Sequence, residues 1–203
     1  MDYVEETRFA AESLFPLIFH ERDEVEALRK KLSGVEWRLA DMYRRMDWLA
    51  RNPEFDDEGI GTAIHWEAHF DVEPEHIKVD AELKDVEARI NARSFARAAL
   101  CGNLLQTAKQ GLSIVHQGLN GPTGRSIGTQ AIRDVIWQAR NQAIHFEEGN
   151  LRPAVRQCFE TLAIDLNRPE LRDYHQRSLA YEVFESLGWN SYADYERDLR
   201  SLV

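Results

Sequence analysis

Long runs of apolar residues are missing from this sequence. A helix that crosses a membrane needs about 18 to 20 consecutive, mostly apolar residues, and no segment of the 203-residue chain has that composition. Residues 1–6 are acidic, whereas a secretory signal peptide begins with basic residues. We therefore expect a cytoplasmic protein without a membrane segment.

Cysteine is scarce too. Cys101 and Cys158 are the two cysteines of the chain, and neither has a second cysteine or a histidine at the spacing of metal ligands. This argues against a disulfide framework or a zinc site, and we expect neither a metal ion nor another cofactor. The chain nevertheless has 43% hydrophobic residues, which is enough to bury the core of a single domain over residues 1–203.

Acidic residues are absent from one stretch of a chain that is acidic overall. The formal net charge is −10, yet residues 88–133 contain no Asp or Glu and six basic side chains. Residues 88–157 contain nine basic and three acidic residues, so this region carries +6 and the rest of the chain −16. Local positive potential, rather than total charge, governs affinity for phosphate groups. The same arginines would also suit ion pairs with the acidic flanking segments.

The spacing of apolar residues is mostly helical and predicts an all-α fold with long antiparallel helices. In the amino-terminal part, Pro16 interrupts a helix over residues 9–19, and a second helix follows over residues 23–51, so we expect a helical hairpin or a kinked rod. The other predicted helices span residues 80–118, 129–147, 153–166, 170–187 and 192–202.

Residues 61–72 differ from the rest because apolar and polar side chains alternate, which predicts a short β excursion. On a helix, His65 and His69 would be candidate ligands of a metal hydrolase. The zinc-protease pattern, however, has a glutamate directly after the first histidine, where Trp66 stands here. On a strand the two histidines lie about 13 Å apart and cannot share an ion.

The strongest functional signal is the hexapeptide RNQAIH at residues 140–145, which lies in the basic region on the predicted helix 129–147. Arg140 carries a permanent charge that can stabilise a phosphate, and His145 can transfer protons near neutral pH. Asn141 precedes the histidine by about one helical turn and is placed to orient its ring. These three residue types could form a site that cleaves phosphodiesters.

Two large apolar side chains, Trp137 and Ile144, fall on helix faces that point away from the predicted core, which indicates a dimer interface. On an ideal helix Arg140 and His145 diverge by about 140°, so a single helix cannot easily direct both at one phosphate. Two antiparallel copies related by a twofold axis can pool these side chains. We therefore expect a homodimer with a composite active site.

These features resemble the HEPN domain family, whose all-helical members carry an arginine, a neighbouring polar residue and a histidine a few positions later. The matching residues are Arg140, Asn141 and His145. The resemblance covers about residues 80–166, which would form the HEPN-like core of a helical bundle. Residues 1–79 would then be a helical extension and loop, and residues 167–203 a helical segment packed on the core.

Many HEPN domains are metal-independent endoribonucleases, so the resemblance implies RNA cleavage by the 2′-hydroxyl, which yields a 2′,3′-cyclic phosphate. His145 would move protons and Arg140 would stabilise the developing charge. Arg125, Arg133 and Arg152 would bind the flanking RNA backbone. The resemblance also implies a toxin or antiviral defence effector, with an antitoxin or another regulatory protein as a partner.

Other HEPN domains do not cleave RNA. The alternative is therefore a non-catalytic interaction or nucleotide-binding module that works with a partner protein. The overall acidity favours this alternative, as does the absence of a recognisable aromatic platform for stacking bases.

Overall fold

The computed structural model describes residues 2–51, 70 and 73–203. Its longest elements are the helices α1 (Tyr3–Arg51) and α2 (Glu73–His116). The elements after α2 are β1 (Ser126–Ile127), β2 (Gln130–Ala131), α3 (Ile132–His145), a 3-10 turn (Phe146–Glu148), α4 (Pro153–Asp165), a second 3-10 turn (Pro169–Arg172), α5 (Ala180–Ser186) and α6 (Tyr192–Arg200). The predicted all-α fold class is confirmed.

Helix α1 runs without interruption through Pro16, so the predicted helical hairpin is wrong. Proline lacks a backbone N–H, which leaves the carbonyl of Glu12 without its helical partner. Both residues are exposed, so water can bond this carbonyl. The buried side chains of Ala11, Phe15 and Ile18 anchor the helix to the core on both sides of the proline.

The chain divides into two compact units, of which the first consists of Met1–Arg22 and Phe95–Val203. Buried side chains from α1 to α6 form its core. Trp189 and Tyr195 are among the largest of them, and their rings pack edge to face with centres 5.0 Å apart. Burying an apolar side chain of this size contributes roughly 1.5–3 kcal/mol. The carboxyl-terminal helices are therefore part of the core.

The second unit, Asp23–Ser94, contains the remainder of α1 and the beginning of α2. Glu24 pairs with Arg93 at 3.2 Å, and Tyr43 packs against His76. Rising residue numbers on α1 thus meet falling numbers on α2, so the two helices are antiparallel here. One cluster of buried side chains in this unit consists of Val35, Met42 and Val79.

A short β-hairpin precedes α3 and was not predicted from the sequence. Its two strands are antiparallel, with Ser126 opposite Ala131. The turn requires Gly128, which has a φ of +57° and lies where a Cβ atom would be 2.5 Å from Asp165. The Asp165 carboxylate accepts hydrogen bonds from the hydroxyl and the backbone N–H of Thr129, both at 2.7 Å, and these bonds lower its pKa. Helix α3 therefore begins later than predicted.

The predicted helix over residues 170–187 is wrong, because a loop separates the second 3-10 turn from α5. The buried side chain of Gln142 on α3 forms hydrogen bonds with the backbone of this loop. Its amide donates to the carbonyls of Tyr174 and Arg177 at 2.9 and 2.7 Å, and it accepts a hydrogen bond from the N–H of Leu179 at 2.9 Å. Backbone groups that bond a side chain in this way satisfy their hydrogen-bonding requirement outside a helix.

Within the described ranges, no helix is both long and apolar enough to cross a membrane. No three His, Cys, Asp or Glu side chains of these ranges lie together as metal ligands. The predicted β excursion at residues 61–72, with His65 and His69, lies outside the described residues apart from Phe70.

Candidate active site

An open cleft of about 280 Å³ lies in the first unit, bounded by α2, α3 and the chain that leads into α4. Its lining residues are Lys109, Trp137, Arg140, Asn141, His145, Glu148, Asn150, Leu151, Arg152 and Val155. All three residues of the predicted motif, Arg140, Asn141 and His145, therefore line the same cleft.

Arg140 is held in the cleft by hydrogen bonds on two sides. Its Nε donates to Oε1 of Gln106 on α2, and its Nη1 lies 3.4 Å from Oδ1 of Asn141. The preceding residue, Ala139, is buried in the core, so Arg140 lies at the core's edge as the helical period predicts. A guanidinium has five N–H donors, and these two bonds leave others for a ligand.

His145 ends α3 with a backbone that is no longer helical, since its φ is −114° and its ψ is 7°. The chain continues through the 3-10 turn Phe146–Glu148 to Gly149, whose φ is +69°. The side chain of His145 lines the cleft that contains Arg140. The two side chains border one cleft of a single chain, and the expectation that a second copy is needed to direct both at one phosphate stays a prediction.

The imidazole of His145 is oriented by a carboxylate. Its Nδ1 lies 2.6 Å from Oε1 of Glu148. A carboxylate can only accept, so Nδ1 carries the hydrogen and Nε2 is the nitrogen that can exchange a proton with a ligand. Asn141, the predicted partner, contacts Arg140 instead. The spacing of three residues between His145 and Glu148 is a signal that could have identified this pair.

Two further cations, Lys109 and Arg152, line the cleft. Nζ of Lys109 lies 4.5 Å from the centre of the Trp137 ring, which is a cation–π contact. Burial lowers the pKa of Lys109, and the charges of Arg140 and Arg152 lower it further. The described lining of the cleft thus contains three cationic side chains and one carboxylate, that of Glu148.

Arg125 and Arg133, which were predicted to bind RNA, do not line the cleft. Arg125 donates to both carboxylate oxygens of Asp198, at 2.8 and 2.7 Å. Arg133 donates to Asp134 at 2.9 Å and to a main-chain carbonyl at 2.7 Å. Of the three arginines predicted to hold the RNA backbone, Arg152 is the one that lines the cleft.

The two residues predicted to face a second subunit lie on different surfaces. Trp137 lines the cleft next to Lys109 and packs against the core of its own chain. Ile144 is 45% exposed and lines a separate groove of about 310 Å³, together with Phe95 and Phe146. The exposed apolar groove is the surface of the two that suits a partner.

Comparisons with protein-family models, with curated proteins and with solved structures gave no match to this chain. The resemblance to HEPN domains therefore stays a prediction, which depends on the motif and its helical setting.

Proposed function

We propose that the protein is a metal-independent endoribonuclease of the HEPN type, with its active site in the cleft around Arg140 and His145. The observation that carries this proposal is the convergence of an arginine, a carboxylate-bound histidine and further cations in one cleft. RNA supplies its own nucleophile, the 2′-hydroxyl. The protein therefore needs only a group that transfers protons and a group that stabilises negative charge.

In the proposed reaction, Nε2 of His145 accepts the proton of the 2′-hydroxyl, and the oxygen attacks the adjacent phosphorus. The bond to the 5′-oxygen breaks, this oxygen takes up a proton from water, and the imidazolium returns its proton to the hydroxide that remains, so the products are a 2′,3′-cyclic phosphate and a 5′-hydroxyl. Arg140 donates to the non-bridging oxygens as their negative charge grows. Gln106 and Asn141 orient the guanidinium, and Glu148 orients the imidazole.

Removing the arginine tests this proposal. We expect the purified protein to cleave a mixed RNA pool in the presence of EDTA and to leave cyclic phosphate ends. Arg140→Ala should lower the rate about 10²–10³-fold, the usual effect of removing a preorganised donor. Arg156→Ala is the matched control, because Arg156 is exposed on α4 and does not line the cleft. Equal rates for the two variants, or no cleavage by the wild type, would contradict the proposed activity.

The proposed enzyme forms a homodimer through the groove that contains Ile144. Ile144→Glu puts a charge into this apolar groove, so we expect the dimer to dissociate into monomers. Ile164→Glu is the control, because Ile164 is 67% exposed and does not line the groove. Sedimentation velocity measures the mass, and a monomeric wild type would rule the dimer out. Arg140 and His145 of one chain line the same cleft. A composite active site that uses both subunits stays a prediction.

A non-catalytic module that binds a partner protein or a nucleotide is the second candidate. The groove formed by Phe95, Ile144 and Phe146 favours it, because such grooves accept apolar segments of a partner. Absence of RNA cleavage, together with an association that Ile144→Glu abolishes, would support this candidate. The proposed role as a toxin or antiviral defence effector, restrained by an antitoxin or regulatory protein, is based on the HEPN resemblance alone.

A further inference from the structure

The cleft contains a cation that the proposed reaction does not use. Lys109 enters it from α2, whereas Arg140 enters from α3 and Arg152 from the loop before α4. Three positive charges in a partly buried space repel one another, and the charges of Arg140 and Arg152 add to the effect of burial in lowering the pKa of Lys109. An anion placed among them would convert the repulsion into attraction.

The described lining of the cleft does not neutralise these three cations. Its one carboxylate, Glu148, is engaged with His145. Arg140 bonds the neutral side chains of Gln106 and Asn141. An excess of positive charge next to unused N–H donors suits a phosphate group, which carries negative charge and several acceptor oxygens.

The first turn of α4 adds to this positive potential. The helix spans 13 residues from Pro153, and both its cap residue Arg152 and its first-turn residue Val155 line the cleft. The amino-terminal end of a helix carries a partial positive charge and attracts anions. The positive end of α4 therefore borders the same space as the three cationic side chains.

We propose that Lys109, Arg140 and Arg152 form a phosphate-binding site within one chain, in which Lys109 contacts the phosphate directly. The ligand is a phosphate group, either free or in a nucleic-acid backbone, and its assignment to RNA rests on the proposed function. The Trp137 ring positions the ammonium group, which retains its N–H donors for the ligand. The cleft of about 280 Å³ is slightly smaller than the roughly 300–1,000 Å³ of ligand pockets, and suits one nucleotide unit.

Calorimetric titration with inorganic phosphate at low ionic strength tests the site without reference to catalysis. The wild type is expected to bind, and Lys109→Met should weaken binding about tenfold or more, because one charge-assisted hydrogen bond is lost. Lys109→Arg keeps the charge and should retain binding. Lys30→Met is the control, since Lys30 is 77% exposed and pairs with Glu26. Equal affinities of the wild type and Lys109→Met, or no binding by the wild type, would overturn the proposal.

A 2′-deoxy dinucleoside phosphate distinguishes the two sources of the phosphate. It lacks the 2′-hydroxyl and cannot be cleaved in the proposed way. If the dinucleoside phosphate competes with inorganic phosphate for the wild type and not for Lys109→Met, the site binds a nucleic-acid backbone. If only inorganic phosphate binds, the site takes free phosphate.

The experiments can refute the proposed phosphate site and the proposed ribonuclease activity independently. Lys109-dependent phosphate binding by a protein that does not cleave RNA would support the site and refute the ribonuclease. The opposite outcome is RNA cleavage that depends on Arg140, with Lys109→Met changing neither the cleavage rate nor the phosphate affinity. This outcome would refute the phosphate site and leave the ribonuclease proposal intact. Circular dichroism of each variant checks that its helices are intact.

Discussion

His145→Ala is expected to lower the rate of RNA cleavage about 10²–10⁴-fold, the range that a positioned general acid or base contributes. Alanine removes the nitrogen that accepts the 2′-hydroxyl proton and leaves Arg140 with its own partners. The His145 side chain is 43% exposed, so thermal stability should change little. His20→Ala is the control, since His20 is exposed on α1. Cleavage by His145→Ala at the wild-type rate would leave the proposed reaction without its base.

Glu148 provides a finer test of the same proton transfer. Glu148→Gln keeps an acceptor for Nδ1 of His145 and removes the adjacent negative charge, so we expect a smaller loss of rate than for His145→Ala. Measuring the cleavage rate at one neutral pH compares the two variants directly. Glu147→Gln is the matched control, because Glu147 lines the apolar groove instead of the cleft. Equal cleavage rates for Glu148→Gln and Glu147→Gln would argue against a positioning role for Glu148.

Asp198→Ala is expected to lower the free energy of unfolding by about 3 kcal/mol. The carboxylate is 4% exposed and accepts hydrogen bonds from Arg125 at 2.8 and 2.7 Å and from the indole N–H of Trp189 at 2.9 Å. Truncation leaves the buried indole N–H without an acceptor. The Arg125 side chain is 43% exposed and can be hydrated, so the loss should lie at the low end of the ~3–5 kcal/mol for a broken buried pair.

Urea unfolding followed by circular dichroism measures this loss. Asp198→Asn keeps an acceptor for Trp189 and should be less destabilising than Asp198→Ala. Asp85→Ala is the control, because Asp85 is 65% exposed and its ion pair with Arg89 is a surface contact. If Asp198→Ala were no less stable than Asp85→Ala, the buried pair would contribute little to folding.

Helical periodicity predicted the bounds of α4 and α6 to within two residues. It failed at Pro16, where α1 continues because the carbonyl that lacks an N–H partner is exposed to water. Exposure depends on the tertiary structure, which helical spacing does not show. It failed again over residues 170–187, because the side chain that fastens the loop, Gln142, belongs to another helix. The strands β1 and β2 have two residues each and are too short to show a period.

The residues that line the cleft could be predicted only where they are neighbours in sequence. Arg140, Asn141 and His145 lie within one short motif, so their types and spacing can be recognised. Lys109 and Gln106 belong to α2, and only the packing of α2 against α3 brings them to the motif. Helical spacing indicates that such residues share a face of α2, but it does not say which neighbour that face meets.

Gln142, which lies between Arg140 and His145 in the sequence, gives the cleft a property that the motif does not reveal. Rotating or sliding α3 would break three hydrogen bonds between this buried amide and the loop before α5. The position of α3, and with it the backbone of Arg140 and His145, is therefore fixed by a buried contact. A phosphate that binds as proposed would therefore meet a helix that is already in position, and little binding energy would go into moving it.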